Sequence, residues 1–184
     1  MRMSRPGAPL STSATQLASL SVIGEVGLPA TLTVRDLREE WRRHRAEVVF
    51  DCATSGPPRH VFEGPLLREV ALASRPLFDM RRRKDRSRFA LAVSGGDGHR
   101  TVLAWAEVDA DFGNAPVLLA TRLDGEDPDA VGSQLVVPVD RCGARYISAV
   151  TRVRVGAWPG AWQSGRHQGL TGNDGPVARL ELPR

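Results

Sequence analysis

Apolar and polar residues alternate in several short runs along this chain. Runs with a period of two are typical of strands that bury one face. We therefore predict strands in SVIGEVGLPATLTV (21–34, interrupted by Gly and Pro), AEVVFDC (46–52), FALAV (89–93), RTVLAW (100–105), APVLLAT (115–121), QLVVPV (134–139) and YISAVTRVRV (146–155).

The apolar period lengthens to about 3.6 in the segment TVRDLREEWRRH, which predicts a helix over residues 34–44. Thr33 and Asp36 stand three positions apart, as in a capping box at a helix N-terminus. The apolar positions on the predicted inner face are Val34, Leu37 and Trp41.

A second helix is predicted to open at Gly64-Pro65, because proline suits the first turn of a helix. Its inward positions are Leu66, Leu67 and Val70. The segment RPLFDMRRRKDRSR (75–88) is predicted to be a polar, basic connection, and AEVDADF (106–112) a short helix. Strands thus outnumber helices without regular alternation, which favours an α+β domain with a mainly β core.

With 184 residues, the chain fits one compact domain. We predict a disordered lead-in over residues 1–19 and a folded domain over residues 20–155. Residues 156–184 form a Gly- and Trp-rich extension, which we expect to pack on the domain through Trp158 and Trp162.

The formal net charge is +4, and Lys84 is the single lysine among the basic residues. Arg81–Arg88 forms a basic cluster with two interpretations: a solvated loop paired with acidic neighbours, or a contact for phosphates. The cluster lacks interleaved aromatic residues, so we favour the solvated loop and do not expect a nucleic-acid partner.

The cysteines and the apolar runs bear on the cellular compartment in which the protein is expected. Cys52 and Cys142 form no CxxC pair, so we expect free thiols in a reducing cytoplasm. The apolar runs are too short to cross a bilayer, and the first residues lack the apolar core of a secretory signal.

The stretch Ser94–Trp105 carries an Asp-Gly pair between two predicted strands, which predicts a hairpin turn. Asp97 has two interpretations: a turn residue that satisfies its own backbone amides, or an acceptor for the amino groups of a flat heterocycle. In the second case, His99 and Arg100 would supply donors to the same ligand.

Cys52 also has two interpretations, a small apolar filler or a thiolate that points into a cleft. The histidines do not favour a protein-only metal site, because they are far apart in sequence. They are His44, His60, His99 and His167.

The order of several segments resembles the sulfite-oxidase-like molybdopterin-binding domain, in particular its short, single-domain members. The resemblance covers about residues 20–155. The segments are LSVIGEVGLPATLTVRDL, VVFDCA, FEGPLLREV, GGDGHRTVLAWAEVD, PVLLATRLDGE and QLVVPVDRCGARYISAVTRVRV.

The resemblance implies an α+β fold and a molybdenum–molybdopterin cofactor in a cleft, with oxygen-atom transfer as the redox chemistry. It implies that Cys52 ligates the molybdenum, that Asp97 contacts the pterin, and that Arg145 helps to hold the cofactor. Soft sulfur ligands suit such a redox-active metal.

Gln134 and Ser148 stand where the family carries an arginine and a lysine, and the loop after Cys52 reads ATSGPPRH. A second hypothesis is therefore a cofactor-free relative that binds another anionic small molecule or a protein partner. The residues that would compensate for the missing cations are His60, Arg59, Arg122 and Arg141.

Overall fold

The computed structural model describes residues 18–49, 59–127 and 131–158. Its elements in chain order are β1 Ser19–Gly24, β2 Ala30–Thr33, α1 Val34–Glu39, β3 His44–Val49, β4 Arg59–Gly64, α2 Leu67–Ala73, α3 Arg83–Arg86, β5 Phe89–Gly95, β6 Arg100–Ala104, α4 Trp105–Val108, β7 Leu118–Ala120, β8 Arg122–Leu123, β9 Gln134–Val136 and β10 Val150–Ala157, with a 3₁₀ turn over Gly143–Arg145.

The strands form three sheets within the described residues. The largest has the order β2-β1-β10-β5-β6, in which β1 and β10 are parallel and the other neighbours antiparallel. A second sheet has the order β3-β4-β8, and a third pairs β7 with β9. The α+β fold with a mainly β core is therefore confirmed.

One apolar cluster joins the three sheets. It includes Leu20 of β1, Leu91 of β5, Phe62 of β4, Leu118 of β7 and Leu135 of β9, all of which are buried. Along β1, the buried residues Leu20 and Val22 alternate with more exposed ones, as expected of a strand with one face in the core, whereas all three residues of β7 are buried.

The predicted capping box is confirmed, because the Asp36 N–H donates to Thr33 Oγ1 and the Thr33 N–H donates to Asp36 Oδ2. The predicted length of this helix was wrong. The helix ends at Glu39, and the chain must turn before β3 begins at His44. Trp41, predicted on the inner face of the helix, still packs against the core, but from the irregular segment that follows α1.

Two strands were missed, β4 and β8. In β4, His60, Phe62 and Gly64 alternate toward the inside, but the run follows a stretch rich in Gly and Pro that masked it. β8 has only two residues and exists through its pairing with β4. Such short pairings depend on neighbours that are distant in sequence, so a local pattern does not reveal them.

Several other boundaries differ from those predicted. Helix α2 begins at Leu67, with Leu66 at its N-cap, so Pro65 precedes the helix. The basic connection contains α3, in which Arg86 is buried. The last strand begins at Val150, because the preceding residue, Ala149, has a φ of 48° and interrupts the extended backbone.

At the C-terminal side, β10 continues to Ala157, which pairs with Phe89. Residues 156 and 157 therefore belong to the sheet. The Trp158 N–H donates to the Arg88 carbonyl, and the residue is 64% exposed. Trp162, the rest of the predicted extension and most of the predicted lead-in lie outside the described residues. None of the described helices has the length and apolar character that a membrane crossing requires.

Candidate functional site

The segment Gly143–Ala149 carries Arg145 and contacts three separate parts of the fold. Arg145 reaches Glu107 on α4. The ring of Tyr146 meets that of Phe62 on β4 at a centroid distance of 6.2 Å. The carbonyl of Ala149 accepts the Gly96 N–H from the turn between β5 and β6.

Arg145 is held by two carboxylates. Its Nε and Nη2 donate to Asp140 Oδ2 and Oδ1 at 2.8 and 2.6 Å, and its Nη1 donates to Glu107 Oε1 at 2.9 Å. These bonds, the one to Asp140 above all, raise the pKa of the Arg145 guanidinium above its ordinary value. One cation thus faces two anions, so an added anionic ligand would have to displace a carboxylate.

Asp97 lies at the exposed corner between β5 and β6, where its Oδ1 accepts the N–H of His99 at 2.9 Å. Gly98 has a φ of 86°, a conformation that glycine adopts without steric cost. The predicted hairpin and turn are confirmed. His99 and Arg100 are exposed beside Asp97, and the binding role of all three stays a prediction.

Asp97 and Arg145 lie toward opposite ends of β6. The turn precedes Arg100, the first residue of β6, whereas Glu107 is on α4, which follows the last residue of that strand. The five residues of β6 span about 13 Å in extended conformation. Glu107, the partner of Arg145, is therefore separated from the Asp97 turn by about that distance.

His60 is on the inward face of β4, two positions from the buried Phe62. Its Nδ1 is 2.8 Å from Asp124 Oδ2, while Asp124 Oδ1 accepts the Val61 N–H at 2.8 Å. The Val61 N–H and then His60 lower the pKa of the Asp124 carboxyl below its ordinary value. Asp124 therefore holds the imidazole in one orientation at the start of β4.

Cys52 lies outside the described residues, within the segment 50–58 that connects β3 to β4. The residues on either side, Val49 and Arg59, are paired in the sheet. Val49 and Arg59 therefore lie at the end of the β3-β4 pair that also carries His60. The predicted metal-binding role of Cys52 stays a prediction.

Tyr146, within the 143–149 segment, is buried, and its ring packs against Phe62 of β4. Its hydroxyl donates to the Val137 carbonyl at 3.2 Å. Burial, with a smaller effect of the Asp140 charge, raises the pKa of Tyr146 to about 12. The phenol therefore stays protonated near neutral pH.

The carboxylates that hold His60 and Arg145 are not among the candidate residues predicted from the sequence. Asp124 precedes Gly125 in a pair typical of turns, and Asp140 is five residues before Arg145. These positions are typical of turns and irregular segments, whereas Glu107 gave no local signal because it meets Arg145 only in the folded chain.

No protein-family model and no curated protein sequence matches this chain. Among solved structures, it is similar to the sulfane dehydrogenase SoxCD from Paracoccus pantotrophus, with a TM-score of 0.59 and 20% sequence identity. The match covers 77% of this chain and 39% of that one, so this chain accounts for well under half of the SoxCD chain. The likeness shows that most of this chain shares the fold of part of that enzyme.

Proposed function

We propose that this chain is a molybdopterin-binding, oxidoreductase-like protein with a sulfite-oxidase-like fold. The observation that carries the proposal is the fold shared with a sulfane dehydrogenase over 77% of this chain. When bound, the cofactor would supply a molybdenum centre that changes oxidation state during oxygen-atom transfer. Cys52 would ligate the metal, because thiolates suit soft, redox-active metals.

Several of the described residues carry groups that such a cofactor could use. His60 is positioned by Asp124 at the start of β4, which follows the segment with Cys52. The exposed turn offers the carboxylate of Asp97, which can accept bonds from amino groups of a pterin. His99 and Arg100 next to it carry donors suited to oxyanions.

Arg145 does not fit the role of a phosphate anchor as it stands. Asp140 and Glu107 already accept from its Nε, Nη1 and Nη2 atoms. The local formal charge of these three groups is negative, which opposes the approach of an anionic cofactor. We therefore expect Arg145 to position the 143–149 segment rather than to bind phosphate.

Elemental analysis and visible absorbance of the full chain, produced in a bacterial host that makes the cofactor, test the proposal. We expect molybdenum in the wild type, its loss in Cys52→Ser, and its retention in the control Cys142→Ser, whose thiol is exposed. A folded wild-type protein without molybdenum would rule out the cofactor.

The carboxylates around Arg145 favour a second candidate function, a cofactor-free relative that binds another anionic small molecule or a protein partner. This alternative does not require the Cys52 thiolate. It predicts that Cys52→Ala has the same unfolding transition and ligand affinity as the wild type. Loss of bound cofactor in Cys52→Ala would instead support the first function.

A further inference from the structure

Residues 75–84, which run from the end of α2 into α3, expose apolar and basic side chains together. Leu77 is 65% exposed and Met80 is 53% exposed. Phe78, which stands between them in sequence, is buried, and its ring centroid is 4.8 Å from that of Trp105. Phe78 therefore makes the contact with the core, while Leu77 and Met80 stay in solvent. We call residues 75–84 the apolar–basic segment.

A third exposed apolar side chain lies next to this segment. Leu28 is 46% exposed, and its N–H donates to the Ser74 carbonyl at 3.0 Å. The adjacent Gly27 donates to the Arg75 carbonyl at 2.8 Å, and a Cβ at Gly27 would lie 3.7 Å from Leu77 Cδ2. Leu28 and Leu77 thus belong to neighbouring parts of one surface, whereas exposed apolar residues are commonly scattered singly.

The cations of the apolar–basic segment exceed its carboxylates. The segment contains five basic residues and one acidic residue, Asp79. Arg83 Nε is 3.5 Å from Asp111 Oδ2. The other four basic residues are exposed and form no ion pair within the described part of the chain: Arg75, Arg81, Arg82 and Lys84.

The carboxylates that adjoin the segment are paired with other arginines. Asp85 Oδ1 is 3.2 Å from Arg88 Nη2. Asp109 and Asp111 both pair with Arg86, whose side chain is buried. Residues 75–88 carry seven basic residues, and with Asp109 and Asp111 only four carboxylates face them. An excess of three positive charges therefore remains at this surface.

A tight turn presents an apolar side chain and a cation side by side. The Arg82 N–H donates to the Asp79 carbonyl at 3.0 Å, which closes a turn with Met80 and Arg81 at its two central positions. The Asp79 carboxylate stabilises this turn, because its Oδ1 accepts the Arg81 N–H at 2.9 Å. The exposed tip is thus formed before any partner arrives, which lowers the entropic cost of binding.

We propose that the apolar–basic segment binds the surface of an anionic lipid bilayer. The acidic headgroups of such a surface attract the four exposed cations, and Leu77 and Met80 enter the boundary between headgroups and acyl chains. A convex tip of this kind needs no complementary pocket in its partner, which favours a fluid lipid surface over a folded protein. Contact with the surface differs from crossing the bilayer, for which the apolar runs are too short.

This proposal goes beyond the molybdopterin function and does not depend on it. Phe78 packs against Phe89, the first residue of β5, with ring centroids 5.0 Å apart. The turn with Asp97 follows Gly95, the last residue of β5. A strand of seven residues spans about 20 Å, so the two surfaces lie toward opposite ends of β5.

Co-sedimentation of the full chain with lipid vesicles tests the proposal. We expect binding to vesicles of phosphatidylglycerol mixed with phosphatidylcholine, little binding to pure phosphatidylcholine, and weaker binding as the salt concentration rises. Arg81→Gln combined with Arg82→Gln should weaken partitioning at least about tenfold, because two cations leave the surface. The matched control combines Arg45→Gln with Arg152→Gln, since these exposed arginines lie on β3 and β10.

Leu77→Ser examines the apolar part of the contact. We expect it to weaken partitioning about fivefold, because an apolar side chain no longer leaves water on binding. The matched control is Val139→Ser, since Val139 is 60% exposed and outside the apolar–basic segment. Circular dichroism of each variant checks that it is folded.

The proposal is overturned if the wild type does not bind the phosphatidylglycerol vesicles, or if Leu77→Ser binds them as tightly as the wild type. It is also overturned if either control variant loses as much affinity as its test variant. Soluble polyglutamate represents an acidic protein partner, so equal affinity for polyglutamate and for the vesicles would exclude the lipid surface. None of these measurements depends on molybdenum, so failure here is distinguishable from failure of the function proposed above.

Discussion

The guanidinium of Arg86 is buried against the carboxylate of Asp109, with Nε 3.2 Å from Oδ2 and each side chain 8% exposed. The same Asp109 oxygen accepts the indole N–H of Trp105 at 2.8 Å. Trp105 is fully buried and its ring meets that of Phe78. Arg86 therefore ties the basic segment around α3 to the core through α4.

Arg86→Ala should destabilise the protein by about 3 kcal/mol, because it leaves the buried Asp109 carboxylate without its cation. Urea unfolding followed by circular dichroism measures this change. The control is Arg83→Ala, since the side chain of Arg83 is 71% exposed and 3.5 Å from Asp111. Exposed ion pairs contribute little to stability, so we expect a much smaller loss in Arg83→Ala. An equal loss of unfolding free energy in both variants would contradict a special contribution of the buried Arg86–Asp109 pair.

Asp140→Ala should lower the free energy of unfolding by about 2 kcal/mol, because it removes two charge-assisted hydrogen bonds from Arg145. The same substitution should raise the affinity for inorganic phosphate near Arg145, since one competing carboxylate is gone. Calorimetric titration measures that affinity, and the exposed Glu126 supplies the control variant Glu126→Ala. Unchanged phosphate binding would show that Arg145 is not accessible to anions.

Tyr146 should titrate far above the ordinary range of tyrosine. It is the single tyrosine of the chain, so the ultraviolet absorbance of tyrosinate reports on it alone. Its folded-state pKa of about 12 exceeds the unfolded value. The folded state therefore holds the phenol proton more tightly than the unfolded state does. The contribution of protonated Tyr146 to the free energy of unfolding is complete below pH about 10 and is lost as the pH rises toward 12.

The alkaline titration is checked by absorbance and circular dichroism on the same sample. We expect a protonated phenol as long as the fold persists, and tyrosinate on unfolding. A titration near pH about 10 in the folded protein would contradict the burial of Tyr146. Tyr146→Phe should remove the absorbance change and cost about 1 kcal/mol, because the hydrogen bond to the Val137 carbonyl is lost.

Gly64→Ala should destabilise the protein by about 2 kcal/mol or more, because an added Cβ would lie 2.2 Å from the Leu119 carbonyl oxygen. β4 and β7 would have to separate. In Gly96→Ala, the nearest atom to the new Cβ is 3.7 Å away, so this variant should change stability by less than about 0.5 kcal/mol. Thermal unfolding compares the two, and similar melting temperatures would contradict the close approach at Gly64.

Local features of this fold were predictable because their hydrogen bonds join residues a few positions apart. The capping box of Thr33 and Asp36 spans three residues, and the turn at Asp97 is closed by His99. By contrast, β8 exists because Leu123 pairs with Phe62, and nothing near Leu123 in sequence indicates that partner. Its register depends on the rest of the sheet.

The candidate site also combines features that short-range patterns predict with contacts between residues distant in sequence. The sequence alone determined the α+β class, the hairpin at Asp97 and the cap of α1, since each follows from short-range periodicity and turn chemistry. Only the tertiary structure decided that Arg145 meets Glu107, 38 positions away, and that Asp127 joins Arg38 to Arg122. Charges act through space, so the state of a guanidinium depends on which carboxylates the fold brings to it.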